Sequence, residues 1–128
     1  MHINKSAPVT ATATIPIVAD PELIWDLLAD INRWPQWNTD IKSASLPGPV
    51  APDEVFRWRA GPAKLVSTIQ TAERPVEIGW TGRTMGMNAV HVWRLEHHGE
   101  TTIVHTQESW EGLPARLLQR TMRKSLQK

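Results

Sequence analysis

The chain has 128 residues, 41% hydrophobic and 21% charged, which suits one compact domain able to bury about two-thirds of its unfolded surface. Its 14 Lys and Arg against 13 Asp and Glu leave a formal charge of +1, too little to hold nucleic acid by neutralising phosphates. There is no cysteine, so disulfides, thiolate nucleophiles and Cys-ligated metal centres are excluded.

Val9, Ala11, Ala13, Ile15 and Ile17 alternate with Thr10, Thr12, Thr14 and Pro16, which predicts a half-buried first strand. Pro16 has no N–H for a ladder and places that strand near a sheet edge or bulge. Asp20-Pro21-Glu22 then supplies an N-cap, an N1 proline and a first-turn acid. The helix they open carries Ile24, Trp25, Leu27, Leu28 and Ile31 as its apolar stripe, and Pro35 predicts a break near Arg33 and Trp34, with a short helical turn over 34–37. From Ile41 the pattern changes to strands near 41–46, 54–60, 63–72, 76–83, 87–97 and 101–110, separated by Pro- and Gly-containing turns. His97 and His98 read as turn residues. After Gly112, Leu113, Leu117, Leu118, Met122 and Leu126 share one side of a predicted terminal helix, with Arg116, Arg120, Arg123, Lys124 and Lys128 opposite.

No repeat or linker divides the chain, so residues 1–128 are expected to form a single domain. The element order predicts an α+β fold: a curved seven-stranded antiparallel sheet wrapped around the C-terminal helix, with two short helices after strand 1. A sheet gripping one helix leaves an internal space where a ligand fits. Residues 1–8 hold no apolar leader and no apolar run is long enough to span a bilayer, so a cytoplasmic location is expected.

Six segments carry a family resemblance: Ala19-Asp20-Pro21-Glu22-Leu23-Ile24-Trp25, Trp34-Pro35-Gln36-Trp37-Asn38, Phe56-Arg57-Trp58, Ile78-Gly79-Trp80-Thr81-Gly82, His91-Val92-Trp93-Arg94-Leu95 and Glu108-Ser109-Trp110-Glu111-Gly112. In their order and spacing the sequence resembles the START-related SRPBCC superfamily, in its polyketide cyclase/dehydrase-like branch, over nearly the whole chain. The resemblance implies a helix-grip fold with a cavity for a lipid-, quinone- or polyketide-like molecule. It implies no single reaction, because the superfamily includes both lipid carriers and aromatase/cyclases.

Alternation assigns faces. Met87, Ala89, His91, Trp93 and Leu95 share one side of their strand, and Thr102, Val104, Thr106, Glu108 and Trp110 one side of the next; both sides are expected to face inward. A hairpin about His98-Gly99 brings His91 and Glu108 to the same level, a spacing suited to a carboxylate–imidazole pair. Such a pair either moves a proton or satisfies buried polar atoms. Trp58, Ser67, Ile69, Ile78 and Trp80 complete the expected wall, with Leu118 and Met122 from the terminal helix, and indole N–H groups orient an oxygen-bearing ligand. The same indoles also serve as plain core filling. Trp34 and Trp37 form a lip if both are exposed, although packing of one beneath the helix is the commoner outcome. Gly82 and Gly86 bracket Arg83-Thr84-Met85, a hairpin turn or a cavity mouth.

His2, His91, His97, His98 and His105 have no metal-ligand spacing, and no phosphate loop or nucleophile elbow is present, so no metal and no cofactor are expected. The basic side of the terminal helix reads as a solvated face and not a membrane-docking one. The expected partner is a hydrophobic small molecule, bound by a carrier or sensor that is a monomer or homodimer. Two alternatives stand beside it: a cofactor-independent polyketide cyclase or dehydratase with His91 and Glu108 as catalytic residues, and a protein interaction module with a packed core.

Overall fold

The computed structural model describes residues 1–7 and 9–112; the predicted terminal helix, with Leu118 and Met122, lies outside the described residues. Strands β1 (Val9–Ile17), β2 (Ile41–Ser45), β3 (Val55–Ala60), β4 (Ala63–Glu73), β5 (Glu77–Thr84), β6 (Met87–His98) and β7 (Thr101–Glu111) form a seven-stranded sheet ordered β1-β7-β6-β5-β4-β3-β2. Every neighbouring pair is antiparallel. Helices α1 (Pro21–Ala29) and α2 (Trp34–Trp37), joined by a 3-10 turn over Ile31–Arg33, carry the chain from edge strand β1 to the opposite edge. Pro16 is tolerated because β1 has a partner, β7, on one side only.

Tight turns set the register. Met85 (φ 47°) and Gly86 (φ 78°) link β5 to β6 in the left-handed conformation that a type I′ hairpin demands. Gly99 (φ 61°) opens the two-residue turn to β7, so the ladder continues to His97–Thr102 and His98–Thr101. His97 and His98 are therefore strand residues, contrary to the turn expected for them, because Gly99 and Glu100 alone supply the reversal.

Helix α1 opens at Asp20, whose backbone carbonyl accepts the Leu23 and Ile24 N–H groups while its side chain makes no capping bond. It ends at Ala29, before the predicted break. Beyond it the Asn32 side chain accepts the Leu46 N–H at 2.8 Å and donates to the Leu46 carbonyl at 3.2 Å, tying the connection to the end of β2. Pro35 does not break a helix; it sits in the first turn of α2, where its missing N–H costs no bond. Leu27 also departs from the predicted stripe, being 51% exposed.

Two apolar clusters hold the concave side of the sheet. The larger joins Ile24, Trp25, Leu28, Ile31 and Trp34 of the helical segment to Phe56, Ile69, Ile78, Trp80, Leu95 and Val104 of the strands. The smaller, near the β5–β6 hairpin, joins Val9, Leu65, Met87, Ala89 and Trp110. Burial of such side chains supplies the dominant stabilisation.

Alternation fails at one place, since Val92 and Ser109 are each 1% exposed although they face the convex side. The N-terminal segment lies across that face. The Asn4 N–H donates to Ser109 Oγ at 3.1 Å, and Arg94 bonds the Met1 carbonyl, Glu77 and Gln107. Gly79, paired with Val92, makes this close approach possible, because a Cβ there would stand 2.5 Å from Met1 Sδ.

Candidate functional site

Register brings the candidate residues into rows across the concave face. One row runs Ala11–Glu108–His91–Trp80–Ile69 from β1 to β4, and the next runs Ala13–Thr106–Trp93–Ile78. His91 stands opposite Glu108 as a direct cross-strand pair. These rows form a polar belt between the two apolar clusters, with His91, Trp93 and Thr106 half-buried and Glu108 buried.

The hydrogen bonds within the belt differ from a simple His–Glu pair. His91 Nε2 lies 3.0 Å from Thr106 Oγ1, and Glu108 Oε1 accepts the indole N–H of Trp110. The imidazole is held between two indoles, with ring centroids 4.9 Å from Trp80 and 5.5 Å from Trp93, the latter stacked at 23°. Burial pushes the His91 imidazole below its ordinary range, and the Glu108 carboxylate draws it part of the way back. The neutral ring therefore prevails near neutral pH, able to donate from one nitrogen and accept at the other.

In the other half of the wall the indole N–H groups are already bonded. Trp34 is 3% exposed, donates its indole N–H to the Leu28 carbonyl at 2.9 Å, and packs edge-on against Phe56 and Trp58 at centroid distances of 5.5 and 5.6 Å. Trp58 donates to Ser67 Oγ at 3.0 Å. Gly82 makes room for that bond, because a Cβ there would meet Ser67 Oγ at 2.9 Å. Ser67 and Trp58 thus satisfy each other. Trp80 joins the halves, 5.3 Å from Trp34 on one side and in contact with His91 on the other.

Trp37 is exposed and Trp34 buried, so the pair forms no lip of two indoles. At the β5–β6 hairpin an open hollow of about 510 Å³ is lined by Arg83, Thr84, Met85, Gly86, Met87 and Asn88. Among the described residues, Thr84 Oγ1 is a buried side-chain oxygen with no hydrogen-bond partner. His105 faces outward, 3.3 Å from Thr14 Oγ1 and 3.2 Å from Glu96, away from His91. No group of His, Asp and Glu able to hold a metal ion occurs among the described residues.

Sequence reasoning did not assign Trp110 its place as donor to Glu108. Alternation offered the signal, since Trp110 follows Glu108 by two positions on the same face. It also left Ala11 out of the wall, although Ala11 on β1 stands opposite Glu108.

The curved seven-stranded antiparallel sheet thus carries a polar, indole-flanked belt on its concave wall. The family described as "Polyketide cyclase / dehydrase and lipid transport" matches residues 8–128, and the chain belongs to that family. The hypothetical protein jhp0584 of Helicobacter pylori superposes with a TM-score of 0.85 at 14% identity, over 96% of this chain and 84% of that one. A START superfamily protein of Mycobacterium smegmatis gives 0.76 at 15% identity, over 92% and 89%. DynU16, a protein encoded in the dynemicin biosynthetic locus, gives 0.71 at 16% identity, over 92% of this chain and 43% of its own. No curated protein sequence matches the chain. Among the described residues no helix is long and apolar enough to cross a membrane.

Proposed function

We propose that this protein binds a hydrophobic or amphipathic small molecule against the concave wall, as a carrier or sensor. The observation that carries the reading is the belt of His91, Thr106 and Glu108 set between apolar clusters, with Trp80 and Trp93 flanking the imidazole. Buried apolar area provides affinity and the few polar atoms provide orientation. Ile69, Ile78 and Trp80 are the apolar floor.

The division of the polar contacts favours binding over proton transfer. His91 bonds Thr106 while Glu108 bonds Trp110, so the imidazole and carboxylate are engaged separately and not as an assembled acid–base dyad. The interaction-module reading is weaker still, since a packed core has no use for a polar belt with half-buried rings.

Native mass spectrometry of the freshly purified protein, followed by tryptophan fluorescence titration with quinones, polyketides and fatty alcohols, tests this. The expected result is a co-purified mass or saturable quenching by at least one class. The absence of both a co-purified mass and quenching by every class overturns the reading. Conversion of a bound compound to a product of different mass would replace it with the enzyme reading.

A further inference from the structure

The charges on the sheet are segregated by face. Arg57, Arg59, Lys64, Arg83 and Arg94 alternate with the inward residues Trp58, Leu65, Gly82 and Trp93 and so point to the convex side, while Lys42 is exposed at the irregular end of β2. Arg94 is engaged there by Glu77 at 2.8 Å. The concave strand faces among the described residues therefore present no Lys or Arg, and Glu108 is the acidic side chain on them, 8% exposed.

A carboxylate offers about four acceptor positions. Among the described residues the indole of Trp110 is the donor that Glu108 receives, through Oε1. His91 brings no compensating cation, because burial favours its neutral form. A ligand carboxylate entering this wall would meet like charge, with no Lys or Arg on the concave strand faces to offset it among the described residues. An O–H or N–H donor would instead bond Oε2, which receives no donor among the described residues, and the half-buried ring of Trp93 suits a flat ring or an ammonium group.

We propose that the ligand is an aromatic amphiphile that presents a hydroxyl or amine donor to Glu108, and that carboxylate-bearing amphiphiles are rejected. This rests on the binding reading above and narrows its ligand class.

Isothermal titration calorimetry with 2-naphthol, 1-naphthylmethylamine, 2-methylnaphthalene and 2-naphthoate tests it, because the probes share one ring system and differ in the polar group. The expected order has naphthol and the amine binding about tenfold or more tighter than methylnaphthalene, with naphthoate weakest. In Glu108→Gln the amide oxygen still accepts the Trp110 N–H, so the fold is retained, as near-ultraviolet circular dichroism will report. There the amine should lose most of its advantage and naphthoate should gain. Equal binding of all probes, naphthoate binding tightest, or an order unchanged by Glu108→Gln overturns the ligand class while leaving ligand binding intact. Binding of none of the probes, in either protein, overturns this ligand class; the binding reading itself falls only if native mass spectrometry and the fluorescence titration also find no ligand.

Discussion

The two halves of the concave wall use the same residue type for different ends. Around Phe56, Trp34 is buried and Trp58 half-buried, and their N–H groups end on the Leu28 carbonyl and Ser67. Around His91, Trp93 is half-buried and Trp80 turns one side of its ring to the imidazole. An indole whose donor is consumed and whose edges are packed is structural, whereas one beside half-buried polar groups is available to a ligand. Tryptophan count alone does not separate these roles; the destination of each N–H does.

The sharpest way to break this contrast is to remove a sealed indole. Trp34→Ala should cost about 3–5 kcal/mol in urea unfolding, because the lost ring leaves a cavity at the centre of the cluster and an unpaired Leu28 carbonyl. A cost near zero would place Trp34 outside the core. Ser67→Ala should cost about 1–2 kcal/mol, since it strands the Trp58 N–H against a serine site that is 1% exposed. Stability unchanged by this variant would mean that Trp58 finds another acceptor and belongs to the open half.

His91→Phe, in the open half, should alter stability near neutral pH by less than about 1 kcal/mol but weaken 2-naphthol binding measurably by calorimetry. Its clearer signature is in pH. The folded imidazole is depressed below the unfolded value of 6.5, so between those values the unfolded chain binds more protons. Wild-type stability should therefore be fully present above about 6.5 and fall as pH drops towards the folded value, and His91→Phe should flatten that part of the profile. Identical profiles would remove His91 as the group responsible. Smallest of all, Leu27→Ala should shift stability by only about 0.5 kcal/mol, because the side chain is half exposed; a loss of several kcal/mol would show that this face of α1 is covered.

Much of the sheet was legible because side-chain direction in a strand has a period of two. Once β6 and β7 were joined by a tight turn, the cross-strand partnership of His91 and Glu108 followed from counting alone. The end of α1 was less legible, since the connection is held by the Asn32 side chain bonding Leu46, a contact between residues distant in sequence. For the same reason the pattern gave the faces of Thr106, Ser67 and Trp110 but not their partners. The burial of Val92 was hidden too, because it depends on residues 1–7 crossing a sheet face that alternation marks as exposed. The predicted terminal helix lies outside the described residues.

The most direct test of the difference between the halves is ¹⁹F NMR of protein labelled with 5-fluorotryptophan, in which each of the 7 tryptophans reports separately, titrated with 2-naphthol. Resonances assigned by single Trp→Phe substitutions should move at Trp80 and Trp93 and stay fixed at Trp25, Trp34 and Trp58. Shifts at Trp34 and Trp58 with Trp93 unmoved would contradict the account, placing the ligand in the half whose indole N–H groups are already bonded.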